Sequence, residues 1–518
     1  MTITESNTTD TRKSEQSSYL TEGTTIRASK ICCGCYHFGG EKTAIGSNYL
    51  GAARGAMIMS NIFLAGSFLY LAHEDAGCIN EEFKPVDDCQ TRVYGFVPIA
   101  FLSNIAVISG LISAFCMPVI GAVVDYTNHR TLLGIVATVL LVIIQAVQIG
   151  TVIETYFVMA MLQAIAGFLF QILILAVYSF LPYIARRVGK DKMRDYTSTW
   201  ALTQFSSQGI FLMGVVVFTG IVLFGMNEGL AVKTAQISQS MSILYVTPLF
   251  ILGWRRFPKM PPSRELPEGN SILLEGFRQN WRTIQSITAE KKKRKSLGTF
   301  FLTIIFAEAA TNAFTIVANT FLYKGLNMNS QQVGIFFFIV LVFSLPGTQI
   351  GSYVTRKTNP NVSWRLSMLC MAIVADVGVF LLDTVPKESS HFYGYVWGGC
   401  VGIFIGWFYP TENYLFSLIV PKEQEAELAG FFVYCSQIIG WLPPLMFSII
   451  VENGYNQKWG VLAVTGFHFI AIFIISFQEG PWSSSFVESI EQQEQPSVEF
   501  TAGVKQLEEN KSVDDDMI

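Results

Sequence analysis

Charge is scarce in this 518-residue chain: Asp, Glu, Lys and Arg make up 14% of it, where an average soluble domain carries about 25%. Histidine is scarcer still, with five residues scattered between His37 and His468. The chain has no G-x-x-x-x-G-K-[ST] phosphate loop, no H-E-x-x-H pair and no nucleophile elbow. ATP hydrolysis, zinc-assisted hydrolysis and serine-type acyl transfer therefore lack a recognisable seat, and neither enzyme activity nor a cofactor is expected. A net charge of −4 with no basic domain leaves nucleic acid without an electrostatic footprint. The first 45 residues, polar and rich in Ser and Thr, lack the apolar core of a cleaved signal peptide, so the first apolar run is expected to serve for targeting.

Of nine cysteines, Cys78 and Cys89 share one loop. There they form either a disulfide, if the loop meets an oxidising lumen, or two free thiols. The run Cys32-Cys33-Gly34-Cys35-Tyr36-His37 has no second ligand pair elsewhere. No metal is expected on it, and lipidation ahead of the first span is the better reading.

Apolar length is what the chain has in abundance. Hydrophobic residues make up 51% of it, with 41 Phe, and roughly 20 mostly apolar residues span a bilayer as a helix. Twelve such stretches stand out, at 52–72, 96–122, 131–151, 155–183, 199–225, 234–254, 297–322, 331–353, 364–382, 392–418, 429–451 and 459–477. Arg54 interrupts the first, and polar residues dilute the sixth. None alternates with a period of two, which excludes a membrane barrel. The expected fold class is an all-α polytopic membrane protein with twelve transmembrane helices.

The spans fall six and six. An N-terminal half, 49–256, and a C-terminal half, 297–480, are joined by a hydrophilic connector, 257–296. The flanks, 1–48 and the acidic tail 481–518, are expected to be disordered. Within the connector, Leu273, Phe277, Trp281, Ile284 and Ile287 recur at steps of three and four. That spacing predicts an amphipathic helix over 271–287, lying against the membrane surface or the ends of the bundle. The run Lys291-Lys292-Lys293-Arg294-Lys295 either anchors the seventh span or binds anionic lipid.

Orientation follows from loop charges. With the N-terminus in the cytosol, the short inward loops hold Arg130, Arg186, Arg187, Lys190, Lys192, Arg194, Arg356, Lys357, Arg365 and Lys422. The outward loops hold only Lys84, Arg92, Lys233, Lys324, Lys387 and Lys458. Both termini are therefore expected on the cytosolic side.

At the inward end of the second span stands Gly121-Ala-Val-Val-Asp125-Tyr-Thr-Asn-His-Arg130. Gly121 would let two helices approach closely, Asp125 would accept hydrogen bonds from a helix N-terminus, and Arg130 would pair with it to lock an inward gate. The spacing G-x-x-x-D-x-x-x-x-R between spans two and three resembles the signature of the major facilitator superfamily. That resemblance implies two six-helix halves rocking about a site at the bilayer midplane, with spans one, four, seven and ten lining the path. The second half carries a degraded copy, Gly351-Ser-Tyr-Val-Thr355-Arg356, without the acid.

From the tenth span the chain reads Gly406-Trp-Phe-Tyr-Pro-Thr-Glu412-Asn413, then Pro421-Lys-Glu-Gln-Glu-Ala-Glu427-Leu-Ala-Gly430-Phe-Phe, then Gly440-Trp-Leu-Pro-Pro444-Leu-Met-Phe447. Together with Tyr178-Ser-Phe-Leu-Pro182 in the fourth span, this resembles the autophagy-related vacuolar effluxer family within that superfamily. The resemblance implies release of amino acids from the vacuole to the cytosol. Where the family pattern usually has an arginine and a lysine, this chain has Asn413 and Gln437, and the loss of two buried cations changes what the cavity can hold.

An ionisable group at mid-bilayer costs about 2.5–3.5 kcal/mol on insertion scales and usually faces a cavity or a partner. Glu308, near the middle of the seventh span, heads a stripe with Asn312, Thr315 and Asn319. It is the candidate for binding a cation or exchanging a proton. Gln163, Gly167, Gln171 and Tyr178 form a second polar face in span four, suited to hydrogen-bonding a solute. Glu412 and Asn413 are expected near the cytosolic mouth, with Gln437 reaching the same vestibule. Gly398, Gly402 and Gly406 read as a helix-packing ridge, Asp376 as structural, and Gln204 and Gln208 stay open.

The expected function is secondary active transport of a small polar solute, amino acids first, by alternating access. The vacuolar membrane is favoured, protons are a possible coupling ion and membrane lipids surround the protein. Rival readings are a sugar, organic anion or peptide carrier at the plasma membrane, or a non-transporting receptor or lipid scramblase. Reporter tags fused to the two ends are expected on the same face of the membrane; tags on opposite faces would break the count of twelve.

Overall fold

The computed structural model describes residues 41–478 apart from 82, 84, 86–88, 189, 227, 263–265, 267–270, 290–294, 386 and 420–424, together with 29–31 and 35–37. The Cys32–Cys33 pair, most of the basic run after the connector helix, Lys84, Lys422 and the acidic tail 481–518 lie outside the described residues. A short antiparallel pair, β1 (Ser29–Ile31) and β2 (Cys35–His37), comes first. All other regular structure among the described residues is helical.

The first half comprises α1 (Lys42–Asp75), α2 (Phe101–Tyr126), α3 (Arg130–Gln148), α4 (Tyr156–Tyr178), the short α5 (Leu181–Val188), α6 (Lys190–Val222) and α7 (Leu230–Trp254). The connector folds as α8 (Ile272–Ala289). The second half comprises α9 (Lys295–Thr320), α10 (Ser330–Lys357), α11 (Pro360–Leu382), α12 (Lys387–Ile419), α13 (Glu425–Gln437), α14 (Leu442–Glu452) and α15 (Gln457–Ile475). A π-helical turn, Phe321–Gly325, extends α9. Cys78 and Cys89 are joined by a disulfide in the loop after α1. That face of the bundle is the disulfide end, and the face carrying α8 is the connector end.

Among the described residues, eleven helical segments are long and apolar enough to cross a membrane, α13 and α14 counting as one segment from Gly430. The remaining expected span, the tenth, is α12. Its 33 residues are ample in length, but its glycines and the polar Thr411-Glu412-Asn413 lower its apolarity. The outer surface suits hydrocarbon: Phe115, Ile210, Leu244 and Phe473 are 69%, 67%, 78% and 67% exposed, an apolar exterior that water would not tolerate.

The expected eleventh span, 429–451, is broken. Pro443 and Pro444 cannot donate backbone hydrogen bonds, so α13 stops at Gln437 and α14 restarts with prolines in its first turn. Irregular backbone inside a membrane protein needs protein or a cavity around it, and this break borders one.

Close packing of the second half rests on α10 and α12. A Cβ on Gly347 would collide with the carbonyl of Ile403, one on Gly402 with that of Val340, and one on Gly406 with that of Ser344. Gly402 and Gly406 of the ridge read from the sequence therefore make backbone-to-backbone contacts, while Gly398 faces the Phe336 ring. Gly402→Ala or Gly406→Ala is expected to cost about 1–3 kcal/mol by overpacking, seen as a lower melting temperature in detergent. Gly466→Ala, where nothing stands within 4 Å of the new Cβ, is expected to leave it unchanged.

Candidate functional site

Between the halves lies a cavity of about 350 Å³, within the range of small-molecule sites. Its polar wall is made of neutral side chains: Asn61 on α1, Ser109 and Ser113 on α2, Gln163 and Gln171 on α4, Asn312, Thr315 and Asn319 on α9, and Gln437 at the end of α13. Gly440 and Pro444, at the break between α13 and α14, complete that side. Spans one, four and seven thus line the cavity as expected. Span ten does not, and spans two and eleven take its place, because α12 turns its glycine face to α10.

Several of these amides are held by protein. Gln148 Nε2 donates to Gln163 Oε1 at 2.9 Å, and Gln437 Nε2 to Ser436 Oγ at 3.2 Å. Others are half-satisfied. Gln171 Oε1 and Asn319 Oδ1 are buried with no protein hydrogen-bond partner, leaving acceptors for a donor that the protein does not supply.

Toward the connector end stands a charged cluster whose members do not line this cavity. Arg54 on α1 is 7% exposed, Glu308 on α9 8% and Glu412 on α12 1%. Arg54 donates to Gln204 Oε1 at 2.7 Å, hydrogen-bonds the Tyr178 hydroxyl and stands 5.0 Å above the Trp200 ring. On the other half, the carboxyls of Glu308 and Glu412 hydrogen-bond each other. An ionised carboxylate only accepts, so this bond needs a proton between the two groups. Arg54 Nε and Glu412 Oε2 are buried without a hydrogen-bond partner. Asn312 ties cluster to cavity: its amide lines the cavity wall and donates to Glu308 Oε2 at 3.0 Å.

Of the two residues expected near the cytosolic mouth, Glu412 is 1% exposed and lies against Glu308. Asn413 points elsewhere, its amide donating to the Tyr409 carbonyl of its own helix at 2.9 Å, and it takes no part in the cavity wall.

The two halves touch on both sides of the cavity. At the connector side, Tyr178 on α4 meets Phe432 on α13 at a centroid distance of 6.3 Å, and Phe432 packs on Phe416 at 4.8 Å. At the disulfide end, Ser448 donates to Asn104 Oδ1 at 2.9 Å, and Arg92 pairs with Glu452 at 3.5 Å. Tyr323 on the second half presses against Gly66 on the first.

The gate motif has an unforeseen partner. Asp125 Oδ2 accepts from Gln279 of α8 at 2.7 Å. Arg130, 4% exposed, attracts Asp125 electrostatically while donating to the carbonyls of Ser179 at 3.2 Å and Val124 at 3.4 Å. Gly121 makes no close approach, for a Cβ there would meet nothing within 4 Å. The tight contact lies one turn earlier, between Pro118 and Gly276 of α8.

Residues 48–479 match the family described as vacuole effluxer Atg22 like. The chain belongs to this family. Among curated proteins none matches it in sequence. In structure, the E. coli xylose transporter XylE, in a partially occluded inward-open conformation, superposes with a TM-score of 0.58 at 13% identity, covering 86% of this chain and 98% of its own. The human organic anion transporter MFSD10 (TETRAN) gives 0.53 at 12%, covering 84% and 99%. A variant of the nucleoside transporter NupG gives 0.51 at 12%, covering 84% and 99%. Likeness at these identities establishes the major facilitator fold. This effluxer-family chain is accordingly a multi-pass membrane transporter of that type.

Arg54 is the site residue that sequence reasoning noticed only as an interruption. A charge inside the first apolar run was the available signal, and Gln204, left open, proves to hold it. Arg54→Gln is expected to slow solute exchange in proteoliposomes by at least about tenfold, equivalent to 1.4 kcal/mol, with Arg54→Lys intermediate because it keeps the charge but not the planar fork. Equal rates in all three proteins would remove Arg54 from the pathway.

Proposed function

We propose that this transporter moves a small polar solute, an amino acid in the first instance, from the vacuolar lumen to the cytosol by alternating access, and that Glu308 and Glu412 carry a coupled proton. The observation that carries the reading is the hydrogen-bonded carboxyl pair set one helical turn behind the cavity and joined to it through Asn312. The loop charges orient the connector end toward the cytosol, with both termini on that side.

In the protonated pair the negative charge is reduced, and Arg54 rests with Gln204, Tyr178 and Trp200. Loss of the shared proton leaves two carboxylates on the second half facing a buried cation on the first. Attraction between them draws the halves together at the connector end. A solute in the cavity repositions the Asn312 amide and so alters the stability of the protonated pair. Gln163, Gln171, Asn312 and Gln437 offer both donors and acceptors to that solute. Gly121, Asp125 and Arg130 hold the connector-side gate.

A second reading keeps the fold and changes the cargo. The cavity wall lacks a charged residue, which suits an uncharged polyol or sugar better than the ionised ends of a free amino acid. Counterflow of labelled amino acids and sugars in proteoliposomes separates the two readings, and lipid flipping without solute exchange would support a scramblase instead. Glu308→Gln is expected to abolish the pH dependence of exchange while leaving expression intact, since it removes the titrating group at little change in volume. Wild-type pH dependence in that variant would exclude a proton role for the pair.

A further inference from the structure

The connector helix α8 is amphipathic in the reverse sense from a water-exposed helix. Its polar side faces the protein: Glu275 is fully buried, Gln279 is 6% exposed and Thr283 3%, at steps of four residues. Gln279 Nε2 donates to Asp125 Oδ2 at 2.7 Å, and Arg282 pairs with Glu275 at 2.7 Å. Gly276 sits so close to the Pro118 carbonyl of α2 that no Cβ fits between them. Its apolar side faces outward: Leu273 is 64% exposed, Leu274 51%, Phe277 47% and Trp281 61%. A bundle that buries polar atoms and displays four large apolar ones on a single helix face is not built to show that face to water.

We propose that α8 is a membrane-seated latch, with its apolar face lying in the headgroup layer of an anionic bilayer while its polar face holds Asp125 of the gate motif. Three observations select a lipid surface as the occupant. The helix packs on α2, whose Phe115 is 69% exposed on the apolar exterior of the bundle. Cationic Arg278 and Arg282 are exposed on the same helix. Five consecutive basic residues, Lys291 to Lys295, follow it in sequence. Apolar residues at the interface flanked by Lys and Arg are the signature of a helix lying in the plane of an anionic membrane.

The position of α8 gives that contact a consequence. The groove beneath it is walled by Met117, Pro118 and Asp125 of α2, by Ser179 just after α4, and by Phe431 and Tyr434 of α13. Helices of both halves therefore meet under the latch, and bilayer contact stabilises the gate motif at the connector end. The inference is independent of the solute and of proton coupling.

Hydrogen–deuterium exchange of the full-length protein, one copy per nanodisc, tests it. In discs of phosphatidylcholine with phosphatidylserine, amides of 272–284 are expected to exchange slowly. In phosphatidylcholine alone, and in the double variant Phe277→Glu/Trp281→Glu, they are expected to exchange about tenfold faster, as released helices do. Amides at the connector end of α2, 120–126, are expected to follow. Gly276→Leu, which wedges α8 off α2, is expected to free the helix in either lipid. Equal protection of wild-type α8 in both lipids, or in wild type and double variant, would overturn the membrane seat. Faster α8 exchange with no change at 120–126 would overturn the latch. Protection that appears only with two copies per disc would assign the face to a chain–chain contact instead.

Discussion

A backbone amide left unpaired in hydrocarbon has no water to turn to, and every other feature of this protein follows from that constraint. It forces the chain into helices, and it makes each departure from helix informative. The break between α13 and α14 survives because it borders the cavity rather than lipid. The same constraint governs side chains. Arg54, Glu308 and Glu412 are tolerated where they are because each finds a partner inside the bundle: Gln204, Tyr178 and Trp200 for the cation, and a shared carboxyl hydrogen bond for the acids.

The partners divide by half. Arg54, Tyr178 and Gln204 belong to the first six spans, and Glu308 and Glu412 to the second. A cluster split this way is sensitive to how far apart the halves stand, whereas a cluster within one half would move as a rigid unit. The contacts at the two ends share that division, Tyr178 with Phe432 on one side and Asn104 with Ser448 on the other. In an alternating-access carrier these are the contacts that must form and break in turn. By contrast, the backbone contacts between α10 and α12 lie wholly inside the second half and keep it rigid.

Most of the architecture was legible in the residues because hydropathy and length are local properties. The spans, the connector helix and the glycine ridge could be read without knowing what packs on what. The stripe Asn312, Thr315 and Asn319 was visible for the same reason, since a helix repeats its faces every three to four residues. Misreadings came where the answer depended on a second helix. Asn413 looked like a vestibule residue and instead bonds its own helix. Glu412 read as a residue of the cytosolic mouth, and its burial against Glu308 shows only in the fold. Gly121 looked like the close contact, and Gly276, far along the chain in the connector, turned out to make it with Pro118.

The sequence by itself determined that this chain spans a membrane with paired six-helix halves, because apolar runs of bilayer length admit few other solutions, and it determined the family through ungapped motifs late in the chain. Only the tertiary structure decided which polar groups meet. Arg54 with Gln204 and Trp200, Glu308 with Glu412, and Asp125 with Gln279 are pairings between segments far apart in sequence, and hydrogen bonds act over about 3 Å, a distance that no spacing of residues along one helix can specify.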